Sequence, residues 1–387
     1  MGAETILSRT EQIPVWHGDL VLTLKGEPAS DIKLPASMSG PLAWNSSSFQ
    51  SEQDYIITLN EEEIEEIKSA LSHFNELDLF GSEAAPGTFP LPTLGSKLQQ
   101  AAEEVHNGRG FVVVRGIQPS QFTPEDNVVI FLGISSYIGG SRGRQDENGN
   151  MLMHIRNAKQ SRTPQSQRPT RYSSRASTFH TDTFCDILAL QSRNNAETGG
   201  NTLLSSTWTI FNKLQKDYPE VCKLLAQPNW SFDSRGDFFP CSTRPVLYHH
   251  GGKVMMNFAR EPLLGLEGVE RMKGLPMLSQ KQKSALDIVE KVATEGQIAI
   301  RTEPGDLLFI NNHGVLHSRE AFVDNTAENP RYLVRMWLKN EKLAWDLPQH
   351  LQQGNSRIYD RDNGLGERWN VVDTPRVAFK LSERLTS

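Results

Sequence analysis

The sequence predicts an α+β protein with a mainly β core. Short apolar, β-branched runs punctuated by Gly, Pro and Asn crowd the second half of the chain, which is the pattern of a β-sandwich or barrel with helices outside. Two amphipathic helical patterns precede them, and no repeat at a solenoid period is present. The first helix follows Asn60, where LNEEEIEEIKSALSHF sets Ile64, Ile67 and Leu71 on one stripe behind an acidic first turn. Those carboxylates suit the positive end of a helix dipole. A second helix, LGSKLQQAAEEVHNG, ends at Gly108 and feeds RGFVVVRGI, an apolar run that reads as a buried strand. PEDNVVIFLGISSYIGG is a third helix-like stretch, and residues 28–53, rich in Pro, Ser and Gly, read as an irregular surface segment. Strand readings then recur at STFHTDTF, DILALQS, NTLLSST, RPVLYHH, KVMMNFAR, QIAIRT and DLLFINNHGVLH.

Composition narrows the function. The 387 residues allow two or three domains, or one large domain with extensions, and 37% hydrophobic content is enough for a sizeable core. A formal charge of -6 gives no basic field for nucleic acid or an anionic membrane, so a small-molecule partner is expected. Cys185, Cys222 and Cys241 form no C-x-x-C pair, which argues against disulfides or structural zinc and for a reducing, cytoplasmic compartment. No signal-peptide layout and no apolar run of about 18 residues is found. Self-association as a homo-oligomer stays open.

Between the helices and the strands lies a polar tract, 141–176, with Arg142, Arg144, Arg156, Arg162, Arg168, Arg171 and Arg175 and no apolar period. A loop of that length is either solvated or a lid over a site, and as a lid it would bring an arginine to an anionic substrate.

The chemistry is carried by His180-x-Asp182 and a later pair of histidines. Residues two apart on a strand share a face and can clasp one ion. In PGDLLFINNHGVLHSREAF a turn at Pro304-Gly305-Asp306 opens a strand that runs toward His313 and His317. Two histidines and one carboxylate on neighbouring strands make a facial triad for non-haem iron(II), with three coordination positions left for a keto acid and dioxygen. A distal carboxylate then needs a fixed cation, and Arg331 and Arg335 in RYLVRMWL are four apart, both able to face the pocket. His17-x-Asp19 has the same spacing without a strand pattern, His249-His250 reads as a hairpin tip before Gly251-Gly252, and Cys185 and Trp208 read as packing.

These residues carry a resemblance. GFVVVRGI at 110–117, FHTD at 179–182, ETGGNTLLSS at 197–206, NNHGVLHSR at 311–319 and RYLVRMWL at 331–338 occur in the order of the taurine dioxygenase and clavaminate synthase-like (TauD/TfdA-type) family. The chain resembles those iron(II)/2-oxoglutarate dioxygenases. The resemblance implies a double-stranded β-helix (jelly-roll) core with flanking helices and N- and C-terminal extensions. It divides the chain into an extension at 1–95, a catalytic domain at 96–345 with the lid at 141–176, and an extension at 346–387. It further implies His180, Asp182 and His317 as iron ligands, and Arg331 and Thr202 as partners of the 2-oxoglutarate distal carboxylate. Arg335 sits where relatives hold primary substrate or keto acid, and Arg260 is a further substrate candidate. His313 is then a structural histidine.

The implied activity is oxidation of a C–H bond of a small carboxylate-bearing, amino-acid-like metabolite by hydroxylation, desaturation or cyclisation, with iron(II), 2-oxoglutarate and dioxygen, releasing succinate and carbon dioxide. Two other classes remain: a cupin-like metal-dependent hydrolase or isomerase, and a catalytically silent β-barrel that binds a ligand.

Overall fold

A computed structural model describes residues 22–23, 33–234, 241–266, 270–324, 330–361 and 366–372. His17 and Asp19 lie outside the described residues. The chain opens with β1 (Leu22–Thr23), β2 (Ile56–Thr58), α1 (Glu61–Glu76), α2 (Leu94–Asn107), β3 (Phe111–Arg115) and α3 (Pro124–Ile138). Next come β4 (Ser141–Gly143), β5 (Met153–Ile155), β6 (Ser177–His180), β7 (Ile187–Asn194), β8 (Thr198–Gly199) and β9 (Thr202–Ser206). α4 (Thr207–Asp217) and α5 (Pro219–Leu225) lead into β10 (Trp230–Asp233), β11 (Cys241–Arg244), β12 (Leu247–His250), β13 (Lys253–Met256) and α6 (Arg260–Leu264). The chain closes with α7 (Gln280–Gly296), β14 (Ile298–Ile300), β15 (Leu307–Asn311), β16 (Val315–Arg319), β17 (Phe322–Val323), β18 (Tyr332–Lys339) and α8 (Gln349–Tyr359).

Two sheets form the core. The larger has seven strands in the order β2-β3-β15-β7-β18-β4, with β5 also paired to β18, and the smaller runs β14-β9-β16-β6. Alternation along each strand sorts side chains between layers. Phe111, Val113, Leu188, Leu190, Leu308, Ile310 and Trp337 of the larger sheet pack on Leu204, Ile300 and Val315 of the smaller. The intervening Val112, Val114, Ala189, Phe309, Val334 and Met336 turn to the other side and pack with Ile67, Phe74, Leu98 and Phe131 of α1–α3. Behind the smaller sheet, Phe179 and Leu316 pack with Ile210, Phe211, Leu286 and Val289 of α4 and α7. The result is a β-sandwich between two helical layers.

Several elements take the form the sequence predicts, and others do not. α1 is capped by Asn60, whose side chain accepts from Glu63 N–H while Glu63 accepts from Asn60 N–H, and it buries Ile67, Leu71 and Phe74. DLLFINNHGVLH, expected as one strand, is two: β15 pairs in the larger sheet and β16 in the smaller. The switch is made by Asn311, whose Oδ1 accepts from His313 N–H and Gly314 N–H, both at 3.1 Å, an Asx-type turn that apolar periodicity does not show. α4, α5 and α7 fall in the strand-rich half, as helices outside the β core whose positions the sequence did not mark. The tract 141–176 differs from a free loop: β4 and β5 pair with β18. Arg142 donates to the carbonyls of Ser82 (2.9 Å), Ala84 (2.5 Å) and Leu132 (3.2 Å). No described helix is long and apolar enough to cross a membrane.

Candidate active site

The site lies between the two sheets. His180 ends β6 and stands opposite His317 of β16 in register, their ring centroids 4.2 Å apart. Asp182 is two residues past the strand end rather than on it, so shared strand parity is not what aims it. It is aimed instead by Asn312 in the β15–β16 turn, which accepts from Asp182 N–H at 2.8 Å and donates to Asp182 O at 2.7 Å and Cys185 O at 2.8 Å. One ligand atom from each of His180, Asp182 and His317 lies within 4.8 Å of the other two.

The three donors are held unequally. His180 Nδ1 bonds to the carbonyl of Thr178 at 2.8 Å, which leaves Nε2 for the centre. Burial, and then the adjacent His317, pushes the His180 imidazole down to about 3, so it is neutral and its lone pair is available near pH 7. Asp182 is fully buried. Burial alone would raise its carboxyl, but the Arg335 guanidinium and the His317 contact outweigh burial and hold it well below the usual carboxylate range. Its Oδ2 accepts from Trp337 Nε1 at 2.5 Å and pairs with Arg335 Nη1 at 3.0 Å. Its Oδ1 has no hydrogen-bond partner and faces His317 Nε2 at 3.6 Å, and His317 Nδ1 is also without one. Orphaned buried polar atoms are costly, and two imidazoles with one carboxylate oxygen are a donor set for a divalent first-row metal.

The same cavity extends to Arg331, with Thr202, Leu188, Leu190, Leu333 and Thr170 along its wall. Arg331 immediately precedes β18 and shares the inward face with Arg335 and Trp337. Its Nε and Nη2 donate to Gly200 O at 3.2 and 2.9 Å, its guanidinium lies 5.2 Å from the Phe322 ring centroid, and its Nη1 has no partner. Burial, then neighbouring Arg319, pushes it down to about 9. Gly200 has φ +77°, and a Cβ there would sit 2.8 Å from Arg331 Nε, so this carbonyl reaches the guanidinium only from a glycine.

Other expected residues are placed differently. Arg335 lines the cavity but is engaged with Asp182. Arg260, expected to close a strand, is the first residue of α6, since the strand ends at Met256. It lines the cavity with Nη2 paired to Asp287 Oδ1 at 2.6 Å. His313 is buried against Asp186 at 3.0 Å, outside the trio, and His250 pairs with Asp346 at 3.0 Å on the β12–β13 hairpin. Of the arginines in the tract, Arg171 lines the cavity, whereas Arg168 donates to the carbonyls of Thr163 (2.7 Å) and Ser161 (3.1 Å). Trp337, Asn312, Arg319 and Glu261 were not expected. Trp337 and Arg319 had a signal, being two residues from Arg335 and His317 on the same strand faces; Asn312 and Glu261 meet the site through tertiary contacts that no local pattern records.

The family model of the taurine catabolism dioxygenase TauD, TfdA family matches residues 70–337. The chain belongs to that family. It is accordingly an oxidoreductase of the dioxygenase type. A taurine hydroxylase-like protein of Stachybotrys chartarum is 31% identical over 369 residues, covering 94% of this chain and 95% of the relative. FR-33289 synthase of Streptomyces rubellomurinus is 24% identical over 322 residues, covering 80% and 92%. Among solved structures, asparagine oxygenase with Fe(II), 3-hydroxyasparagine and succinate superposes with a TM-score of 0.58 at 14% identity, covering 74% of this chain and 93% of that one. The non-haem iron oxygenase OrfP with Fe, succinate and (3S)-hydroxy-L-Arg gives 0.55 at 17% identity, covering 74% and 94%. These structures share the fold.

Proposed function

We propose that this protein is an iron(II)/2-oxoglutarate-dependent dioxygenase that oxidises a C–H bond of a small, carboxylate-bearing, amino-acid-like metabolite. One observation carries the reading: His180 and His317, which with Asp182 form the three-donor cluster, line the same cavity as Arg331, whose buried Nη1 has no hydrogen-bond partner. His180, Asp182 and His317 would hold the metal from one side. Arg331 Nη1 and the Thr202 hydroxyl would take the distal carboxylate of the keto acid, for which a guanidinium is the well-shaped partner. When bound, iron with 2-oxoglutarate and dioxygen supplies the oxidising chemistry, releasing succinate and carbon dioxide as the substrate C–H bond is oxidised. The chain's own contribution is to fix these groups and keep water out with Leu188, Leu190 and Leu333. From β6 the chain passes between the smaller and larger sheets through β7, β9, β15, β16 and β18, with β14 returning to the smaller sheet before β15, which supports a double-stranded β-helix. An amino-acid-like substrate is supported by the hydroxylated amino acids in the two solved oxygenases and by the arginines along the cavity.

The test is anaerobic titration of the iron(II)-loaded protein with 2-oxoglutarate, read as the visible charge-transfer band of a chelated keto acid. The wild type should form the band, His180→Ala should lose iron, and Arg331→Ala should retain iron but need about 10–100 times more 2-oxoglutarate, the loss of one or two charge-assisted hydrogen bonds. Iron-loaded wild type that forms no band would return the hydrolase or binding-protein reading.

A further inference from the structure

The cavity is unevenly charged. Five arginines line it, Arg171, Arg260, Arg319, Arg331 and Arg335, against one acidic residue among the described lining, Glu261. Most of these cations are committed: Arg335 to Asp182, Arg260 to Asp287, and Arg319 to the carbonyls of Thr170, Ser173 and Arg175. Glu261 is different. It accepts from Thr170 Oγ1 at 2.6 Å, which uses one of the roughly four acceptor sites of a carboxylate. Burial pushes this carboxyl up, opposed by the Thr170 hydrogen bond and then by Arg171 and Arg175. Its position is rigid, because the next two residues of α6, Pro262 and Leu263, are buried and Leu263 packs in the core behind the smaller sheet. It also stands where the metal-side cavity adjoins a second one lined by Gln165, Arg168 and Arg175, since Thr170, Thr178, Arg260 and Glu261 border both.

We propose that Glu261 is the specificity-determining residue for the primary substrate, its carboxylate taking the cationic nitrogen of a zwitterionic amino acid whose own carboxylate lies in the surrounding arginine field. A purely anionic substrate would be repelled at Glu261, and a purely cationic one would lie against an arginine-rich wall that only Glu261 among its described lining offsets. A zwitterion satisfies both charges. The inference rests on the iron and 2-oxoglutarate reading above and names the group that selects within it.

The experiment uses the full chain loaded anaerobically with iron(II) and 2-oxoglutarate. The coded L-amino acids are titrated in turn, and each one that shifts the charge-transfer band is compared with its N-acetyl and des-amino analogues. In the wild type at least one amino acid should shift the band and the uncharged-nitrogen analogues should bind about 10-fold weaker or worse, as expected for losing one desolvated ion pair. Glu261→Gln keeps the size and the acceptor for Thr170, so it should fold and bind 2-oxoglutarate as the wild type does, with that discrimination reduced to about 2-fold. Glu261→Asp should recover part of it. Discrimination retained in Glu261→Gln, or no amino acid shifting the band in a wild type that forms it, overturns the inference alone. Absence of the band itself overturns the co-substrate reading and this inference together.

Discussion

At Asp182 two donors converge on one oxygen. Trp337 Nε1 and Arg335 Nη1 both hold Oδ2, and Oδ1 is left toward His317. A carboxylate fixed in this way would offer a single oxygen to a bound metal, a case of outer groups orienting a ligand. Trp337→Phe deletes the indole donor and keeps an aromatic ring. It should leave iron(II) bound while weakening 2-oxoglutarate by about 10-fold, the scale of one charge-assisted hydrogen bond, because Oδ2 would keep only one of its two donors. Band amplitude against 2-oxoglutarate measures this directly. Unchanged 2-oxoglutarate affinity, with only a lower melting temperature, would make Trp337 a packing residue.

At the scale of elements, β16 links the histidine pair to the arginine-rich tract. His317 and Arg319 share its inward face, and Arg319 Nη2 donates to Thr170 O at 3.2 Å, to Ser173 O at 2.8 Å and to Arg175 O. Burial pushes the Arg319 guanidinium down to about 10, so these carbonyls replace the water it has lost. Arg319→Met should free residues 170–175, raising amide hydrogen exchange there by about 10-fold or more for a loss above 1.4 kcal/mol, with exchange in β15 and β18 unchanged. Uniform acceleration across the sheets would instead mean global destabilisation. The sequence read DLLFINNHGVLH as one apolar strand, and strand alternation in RYLVRMWL placed Arg331 and Arg335 on one face. It did not show that DLLFINNHGVLH changes sheets, because the Asn311 side-chain turn is polar and local while the sheet change is a tertiary event. It missed α7 because that helix buries Ala285, Leu286, Val289, Val292 and Ala293 amid long polar side chains, and the flanking strand patterns dominate the reading.

For the whole molecule, the layer order decides where chemistry can occur. Helices cover the outer faces of both sheets, so the space between the sheets is the place where inward polar residues can meet a small ligand. The family motifs were legible because each lies on or beside a strand that turns a residue into that space. Glu261 was not, because α6 comes to the cavity from outside either sheet. One consequence reaches the stability of the chain. A metal and keto acid that bind the folded form alone stabilise it by about 2.7 kcal/mol at a hundred times Kd. For a chain of this size that is a rise in melting midpoint of roughly 3 °C. Manganese(II) with 2-oxoglutarate under nitrogen should produce this rise in the wild type by scanning calorimetry or dye fluorescence. His180→Ala removes one imidazole at a strand end, so its ligand-free midpoint should move by about 2 °C or less while the ligand-induced rise disappears. A rise of equal size in His180→Ala would place the metal elsewhere and remove the His180–Asp182–His317 centre from the account.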